Sequence, residues 1–122
     1  MFRTLQIVAS TFGLSEHPDL RTMGVPRSSQ WPKVRAVWLK EHGQCAACGG
    51  RLSLNAHHKK PFHLYPELEL EFGNLITLCE SGPGRTNCHF LWGHCGREWK
   101  CYNPTVDIDS LRFKQVMLNA AY

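Results

Sequence analysis

The chain has 122 residues, 43% of them hydrophobic and 20% charged, with a formal net charge of +4. That length holds one small domain and excludes two with separate cores, and that composition excludes bulk disorder. No apolar run approaches the roughly 20 residues a bilayer-spanning helix needs, so no such span is expected. The positive balance suits an anionic partner but is too modest to prove one. Four thiolates around one Zn²⁺ carry a net −2 and would bring the +4 down to +2, so any nucleic-acid contact must come from a local patch.

Residues 1–26 are interrupted by Gly13, Pro18, Gly24 and Pro26 and read as an N-terminal arm or linker. The apolar start from Met1 to Ala9 is short, is broken by Gln6 and has no convincing cleavage site after it, so it is read as local structure and the protein as intracellular and cytoplasmic. Ser28-Ser29-Gln30-Trp31-Pro32 has the serines and early proline of a helix entrance, with the serines as caps. The helix is expected to run to about His42 and stop at Gly43, with Trp31, Val34 and Trp38 on one stripe and the tryptophans packed in the core.

Cys45-Ala46-Ala47-Cys48-Gly49-Gly50 follows, two thiols on a tight turn backed by glycines, which is one half of a zinc knuckle. Six cysteines permit three disulfides, but the Cys-x-x-Cys spacing and the histidines nearby favour a metal thiolate site. Arg51 to His57 alternates polar and apolar, reading as a strand that delivers the pair His57-His58, with Pro61 ending regular pairing. An imidazole binds a metal or moves a proton near neutral pH, and two neighbours can divide those roles. The Phe62–Gly73 loop carries Glu67, Glu69 and Glu71, read as a solvated edge. Asn74 to Cys79 reads as a second strand, and Glu80 to Arg85, with Gly82-Pro83-Gly84, as a flexible excursion. Thr86 to Trp92 reads as a short helix ended by Gly93. Cys95 and Cys101 are left over; they could substitute as metal ligands, but buried free thiols are the commoner fate and the one expected. The tail reads as a helix capped by Asp107 or Asp109, with Phe113, Val116, Met117 and Ala120 packed on the domain.

In order, then, the chain presents a cysteine pair, a strand ending in His-His, a loop, Asn74, a strand, a cysteine, and Cys88-His89 opening a helix. This combination resembles the HNH endonuclease family, the zinc-stapled branch of the ββα-metal fold, over roughly residues 31–103. His57-His58, Asn74 and His89 match its name-giving pattern, and phage-type members, often encoded near packaging genes, are similar.

The resemblance implies an α+β fold, a small ββα-metal (His-Me finger) core with a zinc knuckle and flanking helices, in a domain over 27–122. It implies a metal-dependent DNA endonuclease that hydrolyses phosphodiesters to 5′-phosphate and 3′-hydroxyl ends. His58 would be the general base, Asn74 would fix the loop and orient His58, and His57 and His89 would hold a catalytic divalent ion (Mg²⁺, Mn²⁺, Ni²⁺ or Zn²⁺). Cys45, Cys48, Cys79 and Cys88 would hold a structural Zn²⁺. Lys59 and Lys60, with Arg85, Arg97 or Lys100, would meet DNA phosphates. DNA is the implied partner, with phage packaging proteins a second.

The sequence departs from the family pattern in two spacings. Eight residues separate Cys79 from Cys88, where two are usual. Gly93 stands where a third metal histidine would fall, with His94 one residue on, about 100° around an ideal helix, so His94 joins the ion only if the helix unwinds. Strand geometry also points His57 and His58 to opposite faces. The competing readings are a non-catalytic zinc-containing nucleic-acid-binding module and a protein-interaction adaptor. The presence of His58 favours the enzyme, since a binder has no need of a general base.

Overall fold

Pro32 presets the backbone for a first helical turn, and helix α1 duly runs from Trp31 to Glu41. The computed structural model describes residues 26–80 and 87–120. The N-terminal arm up to residue 25, the Gly82-Pro83-Gly84 excursion and Arg85 therefore lie outside the described residues. Ser28 does not cap α1. Its hydroxyl accepts from the Gln30 amide at 3.1 Å and its carbonyl accepts from the Trp31 amide at 3.1 Å, forming a turn one step ahead of the helix. No residue of α1 is fully buried. The helix is tied to the sheet instead by a relay: the Trp38 indole donates to Thr77 Oγ1 at 2.9 Å, and the Thr77 hydroxyl donates to the His42 carbonyl at 2.8 Å.

Two antiparallel strands form the sheet, β1 (Leu54–His58) and β2 (Leu75–Cys79), with His57 opposite Ile76 and His58 opposite Leu75. The alternation from Arg51 onward becomes a strand only at Leu54. Ser53 has φ of 54°, a left-handed value incompatible with extended pairing. Two short 3₁₀ turns, Pro66–Leu68 and Phe72–Asn74, shape the connection between the strands. Beyond β2 comes a five-residue π-helical turn, His89–Gly93, then helix α2, Val106–Ala120. The molecule is thus a small mixed α/β fold, and no helix among the described residues is long and apolar enough to cross a membrane.

The core is centred on sulfur. Cys45, Cys79 and Cys88 are buried together with Ala47, Leu78 and Val106, and Leu54, Ile76, Trp92 and Phe113 pack around them. Such a core has few carbon side chains to bury, so a metal at its centre would supply what apolar area alone does not.

Several expectations are corrected here. Glu69 is not on a solvated edge; it is only 5% exposed because its carboxylate accepts from the Ser28 amide (3.1 and 3.3 Å) and pairs with Arg27 at 3.5 Å. Glu67 and Glu71 are exposed. Cys95 and Cys101 are not thiols but a disulfide, their Cα atoms 6.1 Å apart across a tight loop. Helix α2 starts at Val106, so Asp107 and Asp109 lie inside its first turn, where acidic groups interact favourably with the positive end of the helix dipole. The Asp109 carboxylate accepts from the Thr105 hydroxyl and the Asn103 amide. Only the first half of α2 packs: Val106 and Ser110 are buried and Phe113 meets Trp92 at 5.2 Å, whereas Val116, Met117 and Ala120 are exposed because the helix outruns the small core.

Candidate functional site

The first cluster is made of sulfur. Cys45 and Cys48 sit on a turn closed by hydrogen bonds from the Cys45 amide to the Gly50 carbonyl (2.7 Å) and from the Gly49 amide to the Cys45 carbonyl (3.0 Å), with Gly49 at φ of 80°. The Ala46 amide donates to the Thr77 carbonyl at 2.8 Å, which fastens this turn to β2 and so to Cys79. Cys88 comes from the far side of the excursion, yet all four sulfurs lie within 4.8 Å of one another. The Cys48–Cys79 sulfur separation is 3.7 Å. Zinc–sulfur bonds of about 2.3 Å in a tetrahedron put sulfurs ~3.8 Å apart, so the spacing fits zinc. Amides of Cys48 and Gly50 point at Cys45 and Cys48 sulfur at 3.5 and 3.4 Å, the donors a thiolate accepts. A hydrogen bond from Cys88 holds the Cys45 thiol down at about 4, and the same bond pushes Cys88 up. Burial pushes Cys48 up. Sulfur alone cannot carry this much negative charge; a divalent cation at the centre resolves the conflict by neutralising the thiolates. The four cysteines can therefore bind a structural metal such as zinc.

The second cluster is made of imidazole. His57, from the sheet, brings Nδ1 to 3.0 Å from Nε2 of His89, and His94 brings its Nε2 to 3.2 Å from the same atom. Zinc–nitrogen bonds of about 2.0–2.1 Å in a tetrahedron give nitrogen separations of ~3.3 Å, so three imidazoles at these distances fit one ion with a position left for another ligand. His94 arrives by way of the π-helical turn. This wider turn closes on residues five apart and brings position 94 back beside position 89. Gly93 is what makes room: a Cβ there would stand 2.9 Å from His57 Cε1 and 3.0 Å from its Nδ1.

Two of the three imidazoles are oriented from behind, as metal-binding histidines usually are. His89 Nδ1 donates to a Glu80 carboxylate oxygen at 3.1 Å, and His94 Nδ1 donates to the Cys101 carbonyl at 3.1 Å. Burial drives all three toward the neutral form, His57 down to about 3, with the neighbouring histidines adding to the effect at His57 and His94. The Glu80 contact opposes the shift at His89. Neutral imidazole is the form that ligates. Glu80 was not legible as a site residue; its one signal is its place directly after Cys79.

His58 points to the other face of β1 from His57, as strand geometry requires, yet both line one cavity of about 340 Å³ with His89 and His94. The His58 ring packs on Trp31 at 4.4 Å, and its Nε2 donates to the Glu69 carbonyl at 2.8 Å. That bond fixes the tautomer and leaves Nδ1 as the proton acceptor. Burial holds His58 below its ordinary value. Trp31 therefore serves the cavity rather than only the core.

Asn74 is buried and clamps the loop after β1. Its Oδ1 accepts from the Lys60 amide at 2.8 Å, its Nδ2 donates to the carbonyls of Lys60 and Leu68 at 3.0 and 3.3 Å, and its carbonyl accepts from the Lys59 amide at 2.7 Å. The clamp is thus on the residues following His58, not on His58 itself. Lys59, Lys60, Arg97 and Lys100 do not line the cavity; among the described residues the lysines and arginines that do are Arg27 and Arg35. Arg27 lies over Phe62 at 4.4 Å, and Arg35 donates to Asn55 Oδ1 at 3.4 Å. The sequence pattern singles out neither, because Arg35 is not part of the Trp31, Val34 and Trp38 stripe and Arg27 precedes any regular element.

Compared with known proteins, the chain matches no family model, no curated protein and no solved structure.

Proposed function

We propose that this chain is a metal-dependent DNA endonuclease of the HNH type, built on a ββα-metal core stapled by zinc. The observation that carries the reading is the meeting of His57, His89 and His94 nitrogens in the same cavity as an oriented His58. A nucleic-acid binder would need the sulfur cage and the cations; it would have no use for a divalent site beside an imidazole whose acceptor nitrogen is left available.

In this reading His57, His89 and His94 hold the catalytic ion, which when bound supplies Lewis-acid polarisation of the phosphoryl group and charge neutralisation at the leaving oxygen. His58 Nδ1 takes the proton of the attacking water, and its Nε2–H bond to the Glu69 carbonyl steadies the imidazolium that results. Arg27 and Arg35 receive phosphate oxygens at the cavity wall. Asn74 keeps the Lys59–Lys60 backbone, and with it the end of β1, in place. The products are 5′-phosphate and 3′-hydroxyl ends.

The test is plasmid nicking with Mg²⁺, Mn²⁺ or Ni²⁺, comparing wild type with His58→Ala. A loss of about 100- to 10,000-fold in rate, with metal content unchanged, is the outcome expected for a general base. Cutting that survives His58→Ala unaltered would overturn the mechanism, and DNA binding without cutting in wild type would favour the zinc-containing binding module.

A further inference from the structure

The Cys95–Cys101 disulfide closes a loop that begins beside the metal-site histidine His94 and returns to hydrogen-bond its ring. Cys95 follows His94 directly and is held at φ of 65°, with Gly96 at the same value, so the chain doubles back at once. Such a value is uncommon for a residue with a side chain and needs its surroundings to hold it. The loop's far end returns Cys101, whose carbonyl accepts from His94 Nδ1 at 3.1 Å, and the Cys101 amide is itself fixed on the Glu98 carbonyl at 2.9 Å. Between the two cysteines, Trp99 lays its ring against His94 at 4.9 Å, His89 at 5.2 Å and Phe90 at 4.9 Å. Trp99 is 52% exposed, and its covered side rests on these three rings. His57 is carried by the sheet and His89 hydrogen-bonds Glu80; of the three, His94 is the one whose hydrogen bond from behind comes from this loop.

We propose that the Cys95–Cys101 disulfide is a redox-operated latch that positions His94 and so sets the metal affinity of the three-histidine site. It rests on the reading of His57, His89 and His94 as a metal site, and is independent of what the ion does there. In the oxidised chain the Cys101 carbonyl fixes the His94 tautomer and ring plane, and three imidazoles bind. A dithiol reductant opens it: the reductant's two S–H bonds are exchanged for one S–S bond, and the protein's S–S bond becomes two thiols. Cys101 can then move from His94, and the site falls toward two ligands. Loss of an outer partner of a metal-binding histidine costs about 10- to 100-fold in affinity, which is the change anticipated here.

The experiment is a Co²⁺ titration of the full chain with its cysteine site already filled with Zn²⁺, followed by the visible spectrum of imidazole-bound cobalt. Four proteins are compared: oxidised wild type, wild type reduced with a dithiol that is then removed under argon, the double variant Cys95→Ser/Cys101→Ser, and His94→Ala in both redox states. The latch predicts that reduction and the double variant each weaken Co²⁺ binding by about 10- to 100-fold. It also predicts that His94→Ala binds equally weakly whether oxidised or reduced. Equal affinity in oxidised and reduced wild type overturns the latch. So does an equal loss on reduction in wild type and His94→Ala, which marks general loosening instead. Failure of oxidised wild type to bind any cobalt at the histidines overturns the metal site and the latch together.

Discussion

His89 and His94 face each other Nε2 to Nε2 across 3.2 Å, although five residues of chain separate them. An α-helix would turn position 94 well away from position 89; the π-helical turn brings it back. Each of the two rings is then held by a different acceptor, Glu80 for one and the Cys101 carbonyl for the other. Glu80→Ala should weaken divalent-metal binding at the histidines by about 10- to 100-fold while leaving zinc on the cysteines, as read by metal analysis after dialysis. Unchanged metal affinity in Glu80→Ala would show that the carboxylate does not orient His89.

Gly93 provides a second test, because its absent side chain is occupied by another residue's ring. A Cβ at 93 would meet His57 at 2.9–3.2 Å from three of its ring atoms, and His57 is a buried ring with little room to retreat. Gly93→Ala should displace His57, lower metal affinity at the three-histidine site and reduce nicking, with the fold's circular dichroism retained. A Gly93→Ala protein with wild-type metal affinity would mean that His57 is not fixed where it is needed.

The sulfur cage should decide whether the domain folds at all. A structural zinc contributes about 10–16 kcal/mol of apparent binding energy, against a total stability of about 5–15 kcal/mol for an ordinary domain. The core here is largely the cysteines themselves, with Leu78 and Val106 beside them. Cys45→Ser, or exhaustive chelation, should therefore abolish the cooperative thermal transition. A folded Cys45→Ser protein with undiminished zinc content would place the staple elsewhere.

Acid should loosen the metal-free histidine cluster. His57, His58, His89 and His94 all sit below the ordinary value of 6.5 in the fold, His57 at about 3, chiefly through burial. Between the folded and unfolded values the unfolded chain binds more protons, so stability rises with pH across that window. Stability is accordingly full above about 6.5, and its loss begins as pH falls through that value, continuing for His57 toward about 3. Urea midpoints measured from pH 7.5 to 5 should fall steadily, and His57→Gln should flatten the decline. A pH-independent midpoint would contradict the burial of these imidazoles.

Much of the site was legible because metal ligands carry strict spacing. Cys45 and Cys48 declare a knuckle by their two-residue gap, and the His57-His58 pair stands out inside the cysteine bracket. Asn74 and Cys79 follow from the second strand. What was not legible depends on geometry that spacing does not encode. His94 could be named as a ligand only on the condition that the helix unwinds, because the π-helical turn that brings it to His89 is announced by no local pattern. The partnership of Cys95 with Cys101 depends on two consecutive left-handed residues, and the burial of Glu69 depends on the distant Ser28 amide. Arg27 and Arg35 reach the cavity through how α1 lies across β1, a tertiary choice that helical periodicity leaves open.

The central claim is that two ions occupy two separate donor sets, and anomalous diffraction from crystals grown with Zn²⁺ and Ni²⁺ tests it most directly. The account predicts one peak about 2.3 Å from the sulfurs of Cys45, Cys48, Cys79 and Cys88, and a second about 2.0–2.1 Å from His57 Nδ1, His89 Nε2 and His94 Nε2. A single peak at the sulfurs, with His57 and His89 bonded only to each other in the presence of excess metal, would contradict it.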